Sequence, residues 1–230
     1  MTGTLLLRLS GPMQSWGVES RFDVRDTGYE PSKSGVIGLL CAALGRPRWG
    51  PLTDLASLRM GVRVDQEGRL EKDFHTAGKD GYYRVSGGVE RSKLIVSNRY
   101  YLADACFLVG LEGDVALLRE LDGALYHPVW PLYLGRKAFV PGEPVRLPDG
   151  LQEGVSLLEV LEGYPWLAEG RHAARNKRPE RLRIVYDDPD GAVVRPDLPV
   201  SFVQGQRAFR PRRVTVDYIP TPPVGEQEGA

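Results

Sequence analysis

The sequence predicts an α+β fold, and three observations point to it. Apolar runs of strand length end at glycine and proline. Two longer segments, residues 34–44 and 115–125, space their apolar residues at the period of a helix. Between them lies a polar, basic, glycine-dotted stretch, residues 69–99, with little core behind it; it reads as a long hairpin.

The elements follow in order. Leu5-Leu6-Leu7-Arg8-Leu9 is a buried strand that stops at Gly11-Pro12. Residues 12–32 read as loop, because Gly, Pro, Asp, Thr and Ser punctuate them and no period emerges. Val36, Ile37, Leu40 and Leu44 share one helical face, and Gly45 stops the helix. A short helix is predicted around Leu52–Leu58. Met60, Val62 and Val64 alternate with Gly61, Arg63 and Asp65, which is strand period, before a turn at Asp65–Gly68. In the hairpin, Tyr82-Tyr83 is expected to pair with Leu94-Ile95-Val96. Tyr100 to Val109 reads as one strongly apolar strand. Asp114 is placed to cap a helix carrying Val115, Leu118, Leu121 and Leu125. Pro131 to Lys137 reads as a strand running into a turn. This βαββαβ order, with a hairpin inserted before the third strand, predicts a ferredoxin-like domain over residues 1–140. Pro141, Pro144 and Pro148 mark a boundary to a smaller β-rich part, residues 141–219. That part holds a helix near Val155–Leu161 and strands at 182–187, 198–204 and 213–219. Residues 220–230 read as a mobile tail.

The net charge is zero over 230 residues, but it is unevenly spread. Residues 1–110 carry +3, 111–170 carry −6, 171–213 carry +6 and 214–230 carry −3. The overall field does not steer the chain to nucleic acid, yet local basic zones can hold phosphates. No apolar run approaches the ~18 residues a bilayer span needs. No basic segment precedes Leu5, so a secretory signal is not expected. Cys41 and Cys106 lie in apolar runs and read as buried free thiols. These observations predict a cytoplasmic protein with no membrane association.

His75, His127 and His172 lie far apart, and no Cys-x-x-Cys or His-x-Glu pattern occurs, so neither metal nor cofactor is predicted. The nucleotide-binding glycine loop ending in Lys-Ser/Thr is absent. Ser34-Gly35 lacks the context of a hydrolase elbow. Asp187-Asp188 falls in a Pro/Gly turn and is expected to face solvent. The helix start Pro31-Ser32-Lys33-Ser34-Gly35 is a natural phosphate site, because helix N–H groups and an ammonium converge there. His75, Lys79 and Tyr82 form the one cluster offering metal-free acid–base chemistry. Residues 75–99 interleave cations and rings, which suits single-stranded nucleic acid. Arg136-Lys137, after Tyr133-Leu134-Gly135, adds a second cationic edge. Arg171, Arg175, Lys177, Arg178, Arg181 and Arg183 form a denser cluster, and Arg210, Arg212 and Arg213 another; both also read as solvated faces. Trp16 reads first as a core plug.

Four motifs in order then carry a resemblance: Gly11-Pro12-Met13-Gln14-Ser15-Trp16-Gly17, Pro31-Ser32-Lys33-Ser34-Gly35-Val36-Ile37-Gly38-Leu39-Leu40, Arg99 to Phe107, and Pro131-Leu132-Tyr133-Leu134-Gly135-Arg136-Lys137. Together they resemble the CasD family of CRISPR-associated proteins from type I-E Cascade, over residues 4–140. The resemblance implies an RRM-like domain of the repeat-associated RNA-binding (RAMP) superfamily, with a β-hairpin thumb at about residues 75–98. It implies a subunit that caps the 5′ handle of CRISPR RNA in an antiviral complex. The implied neighbours are the CasC backbone subunit and the CasA large subunit, with target DNA met indirectly. By motif, Gln14, Ser15 and Trp16 would lie near the handle, and Lys33 and Ser34 at a phosphate. Arg99 at the thumb base would touch RNA. Tyr133, Gly135, Arg136 and Lys137 form the second loop, and His75 with Thr76 starts the thumb. A related type I-C group cleaves precursor RNA with a Tyr, Lys and adjacent-His set; no adjacent Lys-His pair occurs here. That favours a non-catalytic binding role, with a metal-independent endoribonuclease as the alternative and a protein scaffold as a third reading.

Overall fold

The computed structural model describes residues 1–18, 23–84, 86–168 and 178–223. Strand β1 (Thr2–Ser10) leads to the two-residue strands β2 (Met13–Gln14) and β3 (Val24–Arg25). Helices α1 (Lys33–Leu44) and α2 (Thr53–Ser57) precede β4 (Arg59–Gln66). The hairpin comprises β5 (Arg69–Ala77), β6 (Tyr82–Tyr83), β7 (Val89–Glu90) and β8 (Ile95–Ala103). Then come β9 (Cys106–Asp114), α3 (Val115–Tyr126), β10 (Arg146–Glu153) and α4 (Leu157–Gly163). The last strands are β11 (Arg181–Asp187), β12 (Val193–Ser201) and β13 (Ala208–Pro220).

Seven strands form one sheet in the order β10-β1-β9-β4-β11-β13-β12, every neighbouring pair antiparallel. The sheet therefore takes strands from both sides of residue 140. Leu5, Leu7 and Leu9 of β1 pack with Val36, Ile37 and Leu40 of α1 and with Leu118, Leu121 and Leu125 of α3. Leu6 joins Leu157, Val160 and Leu161 of α4 in a second cluster. A strand covered on both faces needs no polar alternation, and this explains the unbroken apolar run at residues 5–7. Strand β4 is likewise buried on both faces. Arg63 is fully buried, paired with Asp65 at 2.6 Å, and it donates to the carbonyls of Leu161 (2.7 Å) and Pro165 (2.8 Å) at the end of α4. Helix caps follow the sequence reading: Asp114 Oδ1 accepts from Ala116 N at 2.9 Å, and α1 ends at Gly45 with φ +68°.

The structure departs from the sequence reading at several places, among them residues 12–32, read as loop, which hold the short strands β2 and β3. The fourth strand of the βαββαβ series is β10, not residues 131–137, which are turns without strand pairing. The apolar run from Tyr100 to Val109 is two strands, β8 and β9, because Asp104 turns the chain with φ +59°. Tyr82-Tyr83 pairs with Val89–Glu90, whereas Ile95 and Val96 pair with Ala77 and Thr76. Asp187 is half-buried and paired with Lys33 rather than solvated, because the end of β11 reaches the start of α1.

Strand β8 organises a second, smaller sheet. Along one edge it pairs with all nine residues of β5, from Arg69↔Ala103 to Ala77↔Ile95. Along the other it takes β2 (Gln14↔Leu102) and, in parallel, β3 (Val24↔Asn98, Arg25↔Arg99). Every residue of β5 is exposed, so this hairpin projects with no core of its own. Among the described residues no helix is long and apolar enough to cross a membrane.

Candidate nucleic-acid interface

The helix start binds an anion, as its residues predict, but the anion belongs to the chain. Ser32 caps α1 by accepting from Gly35 N at 3.3 Å. Lys33 N donates to Asp197 Oδ2 at 2.7 Å. The Lys33 ammonium is buried and donates to Leu58 O (2.6 Å) and Asp187 Oδ2 (2.8 Å). Arg212 then bridges Asp187 at 2.5 Å and Asp197 at 2.7 and 3.0 Å. Two cations and two carboxylates thus close the site that a phosphate would otherwise take. Burial drives the Lys33 pKa down against the pull of Asp187. Burial works the other way on Asp187, but Lys33 and Arg212 outweigh it and hold that carboxyl below the ordinary range. Lys33 is therefore a structural cation, and Ser34 is half-buried beside Ser32, 3.5 Å between hydroxyl oxygens.

The Gln14-Ser15-Trp16 motif is also turned inward. Gln14 Nε2 donates to Leu9 O (3.1 Å) and Ala105 O (2.8 Å), while its Oε1 accepts from Trp16 Nε1 at 3.1 Å. Gln14 and Trp16 are buried, with Trp16 in the main core. Ser15 N donates to Leu134 O at 3.1 Å, which fastens the first loop motif to the second. Gly135 follows with φ +87°, and a Cβ there would collide with the Ser15 carbonyl oxygen. Only glycine fits this contact. The two loop motifs do meet, but Gln14, Ser15 and Trp16 build the joint rather than offer side chains to a ligand.

The joint presents Arg136. Its guanidinium donates to Tyr100 O (2.9 Å) and Arg25 O (3.2 Å), and lies 5.4 Å from the centre of the Phe139 ring. Register places Arg25, Arg99 and Asp73 in one row across three strands, with Ser97 and His75 in the next row on the same face. Arg99 Nε donates to Ser97 Oγ at 3.1 Å. His75 Nδ1 lies 3.8 Å from the Asp73 carboxylate. Burial lowers the Arg136 pKa, and the nearby charges of Arg99 and Arg25 push the same way against Asp73 and Asp26. Among the described residues, Arg25, Arg99 and Arg136 make no ion pair. Three guanidiniums held together without a full set of counter-charges attract an anion. Lys137 is exposed and Tyr133 half-buried next to them in sequence. The opposite face of the hairpin carries Val24, Phe74 and Val96, all exposed.

Of the predicted residues, the structure gathers His75, Arg99, Gly135 and Arg136 around the hairpin base, with Tyr133 and Lys137 on the adjoining loop. Gln14, Ser15, Trp16 and Lys33 point into the fold, and Ser34 stays at the helix start. Arg25 was missed. It lies in a two-residue strand inside residues read as loop, too short to show a period. His75, Lys79 and Tyr82 are strung along β5, the turn and β6. His172, Arg171, Arg175 and Lys177 lie outside the described residues. Among the described residues no group of three or more His, Cys, Asp or Glu could hold a metal ion.

A chain with this topology and this basic hairpin base matches the family model described as CRISPR-associated protein (Cas_Cas5) over residues 4–215. It therefore belongs to the CRISPR-associated Cas5 family. Within that family it is similar to CasD, a CRISPR system Cascade subunit of Escherichia coli strain K12. The two are 35% identical over 150 residues, covering 60% of this chain and 67% of CasD. The fold is similar to the crystal structure of a Cas protein, with a TM-score of 0.77 and 46% identity over 96% of this chain and 98% of that one. It is also similar to a chain of a CRISPR RNA-guided surveillance complex, with a TM-score of 0.78 and 34% identity over 95% and 91%.

Proposed function

We propose that this chain is a non-catalytic subunit of a CRISPR RNA-guided surveillance complex, and that it holds the 5′ handle of the CRISPR RNA at the base of its projecting hairpin. The carrying observation is the cluster of Arg25, Arg99 and Arg136 at the foot of an exposed hairpin: three guanidiniums with no ion pair among the described residues, which outnumber the nearby carboxylates of Asp73 and Asp26. Phosphates neutralise that row, and unstacked bases lie along the hairpin's rings. The order β10-β1-β9-β4, with α1 and α3 on one face, supports reading this half as a ferredoxin-like, RRM-like module. Likeness to CasD and to the surveillance-complex chain supports neighbours of the CasC and CasA kind, with the hairpin acting as the thumb near the start of the guide. Such a complex acts in the cytoplasm and meets target DNA only through its guide.

Purified protein incubated with repeat RNA, with and without EDTA, tests this reading. Intact RNA, shifted on a gel and released as salt rises, is the expected result. Discrete cleavage products that vanish in His75→Ala would replace it with a metal-independent endoribonuclease.

A further inference from the structure

The sheet's far edge carries a second hairpin that the handle-binding reading does not use. Strands β12 and β13 pair as Leu198↔Arg210, Pro199↔Phe209 and Ser201↔Ala208, and the chain reverses at Val203–Gln206, where Gln206 N donates to Val203 O at 3.0 Å. From residue 198 to residue 216 there is no acidic side chain, while Arg207, Arg210, Arg212 and Arg213 all fall within it. Arg212 is consumed by Asp187 and Asp197, and Arg213 donates to Gly191 O. Arg207 and Arg210 are exposed, and neither has a hydrogen-bond or ion-pair partner among the described residues. Beside them, Phe202 packs on the core and meets the Phe209 ring in a tilted contact, centres 6.4 Å apart, which anchors the tip. The Phe209 ring stays 43% exposed.

The first hairpin differs in one respect that matters. It interleaves its cations with Glu71, Asp73, Asp80 and Glu90. An acidic protein surface would be met by either hairpin through charge alone. An exposed ring on an acid-free hairpin that also carries two unpaired guanidiniums can take a base and nearby phosphates. We propose that the β12–β13 hairpin is a second contact for single-stranded nucleic acid, with Arg207 and Arg210 on phosphates and Phe209 stacked on a base. This site is separate from the Arg25, Arg99 and Arg136 row and does not depend on it.

The test uses the full chain and a labelled single strand of about 15 nucleotides, as RNA and as DNA of the same sequence, followed by fluorescence anisotropy between about 50 and 200 mM salt. It is run in wild type and in an Arg99→Ala/Arg136→Ala background. Adding Arg207→Ala/Arg210→Ala should weaken binding roughly tenfold and reduce the log–log salt slope by about 1.4, the value for two single-strand phosphates. Phe209→Ala should weaken binding about fivefold and leave the slope unchanged, and Phe209→Trp should restore it. Thermal unfolding should be unaltered by the arginine changes. A tighter RNA arm assigns the site to the guide, and a tighter DNA arm to a target strand. The proposal is overturned if the Arg99→Ala/Arg136→Ala background alone abolishes binding, or if Arg207→Ala/Arg210→Ala leaves affinity and slope untouched. It is equally overturned if those changes spare nucleic acid but release a protein partner, which would make the hairpin a docking surface.

Discussion

Lys33 at the start of α1 and Arg99 at the base of the first hairpin carry similar sequence signals and have opposite fates. Each is a cation that the sequence offers to a phosphate, Lys33 at a helix start and Arg99 on a projecting strand. Around Lys33 the chain returns, more than 150 residues later, with Asp187 and Asp197, and Arg212 joins them. Around Arg99 the chain returns with Arg136 and aligns Arg25, so that cations outnumber the one carboxylate opposite it, Asp73. A cation bonded to internal carboxylates holds the fold together; cations that outnumber their carboxylates and form no ion pair are left to bind something else. The difference lies in what other strands deliver, not in the motif.

Breaking the first region should cost most. Asp187→Ala would leave Lys33 and Arg212 buried without their shared partner. A loss of about 3–5 kcal/mol is expected in chemical denaturation. A change below 1 kcal/mol would mean that the cluster is not structural. The same cluster sets an acid limit. The folded-state pKa of Asp187 lies below its unfolded value, so its contribution is complete above about pH 4 and disappears as pH falls through the depressed value. Asp187→Asn should therefore flatten the stability profile on the acid side and leave its shape near neutrality unchanged. Gly135→Ala attacks the joint between the regions. With φ +87° and the Ser15 carbonyl in contact, it should cost about 1–3 kcal/mol and also displace Arg136, lowering RNA affinity.

The second region should respond in the opposite sense. Arg99→Ala is expected to change stability by less than about 1 kcal/mol while weakening handle RNA binding roughly tenfold, since a charge-assisted contact contributes about 1.5–3 kcal/mol. Equal losses of stability and binding would erase the contrast with Lys33. Ser34→Ala should do least. Among the described residues its side chain pairs only with the Ser32 hydroxyl, so stability should stay within about 0.5 kcal/mol and RNA binding should not move.

Local chemistry made part of this legible. The apolar runs, the Asp114 cap and the Gly45 stop gave α1 and α3 nearly to the residue and the middles of β1 and β4. The hairpin was visible because residues 69–99 lack a core face. Register was not visible, since Tyr82-Tyr83 has several apolar partners within reach and the turn at Asp104 hides inside an apolar run. The true fourth strand, β10, hides because Pro148, Asp149 and Gly150 interrupt it. At the site, Arg99 and Arg136 were readable as cations on or next to projecting segments. Nothing local could reveal that Asp187 and Asp197 neutralise Lys33, because those pairs close across the whole chain. Gln14 misled for a related reason, whereas Trp16 is the core plug that its residue type first suggested. A polar–aromatic motif in a loop looks like a ligand surface until its hydrogen bonds are found to end on the backbone.

Ultraviolet cross-linking of 5′-handle RNA to the full chain, with peptide mapping by mass spectrometry, addresses the central claim most directly. Adducts on peptides containing residues 23–25, 97–101 or 133–137 are the predicted result. Adducts confined to residues 32–36 at the start of α1, with the hairpin base unlabelled, would contradict it.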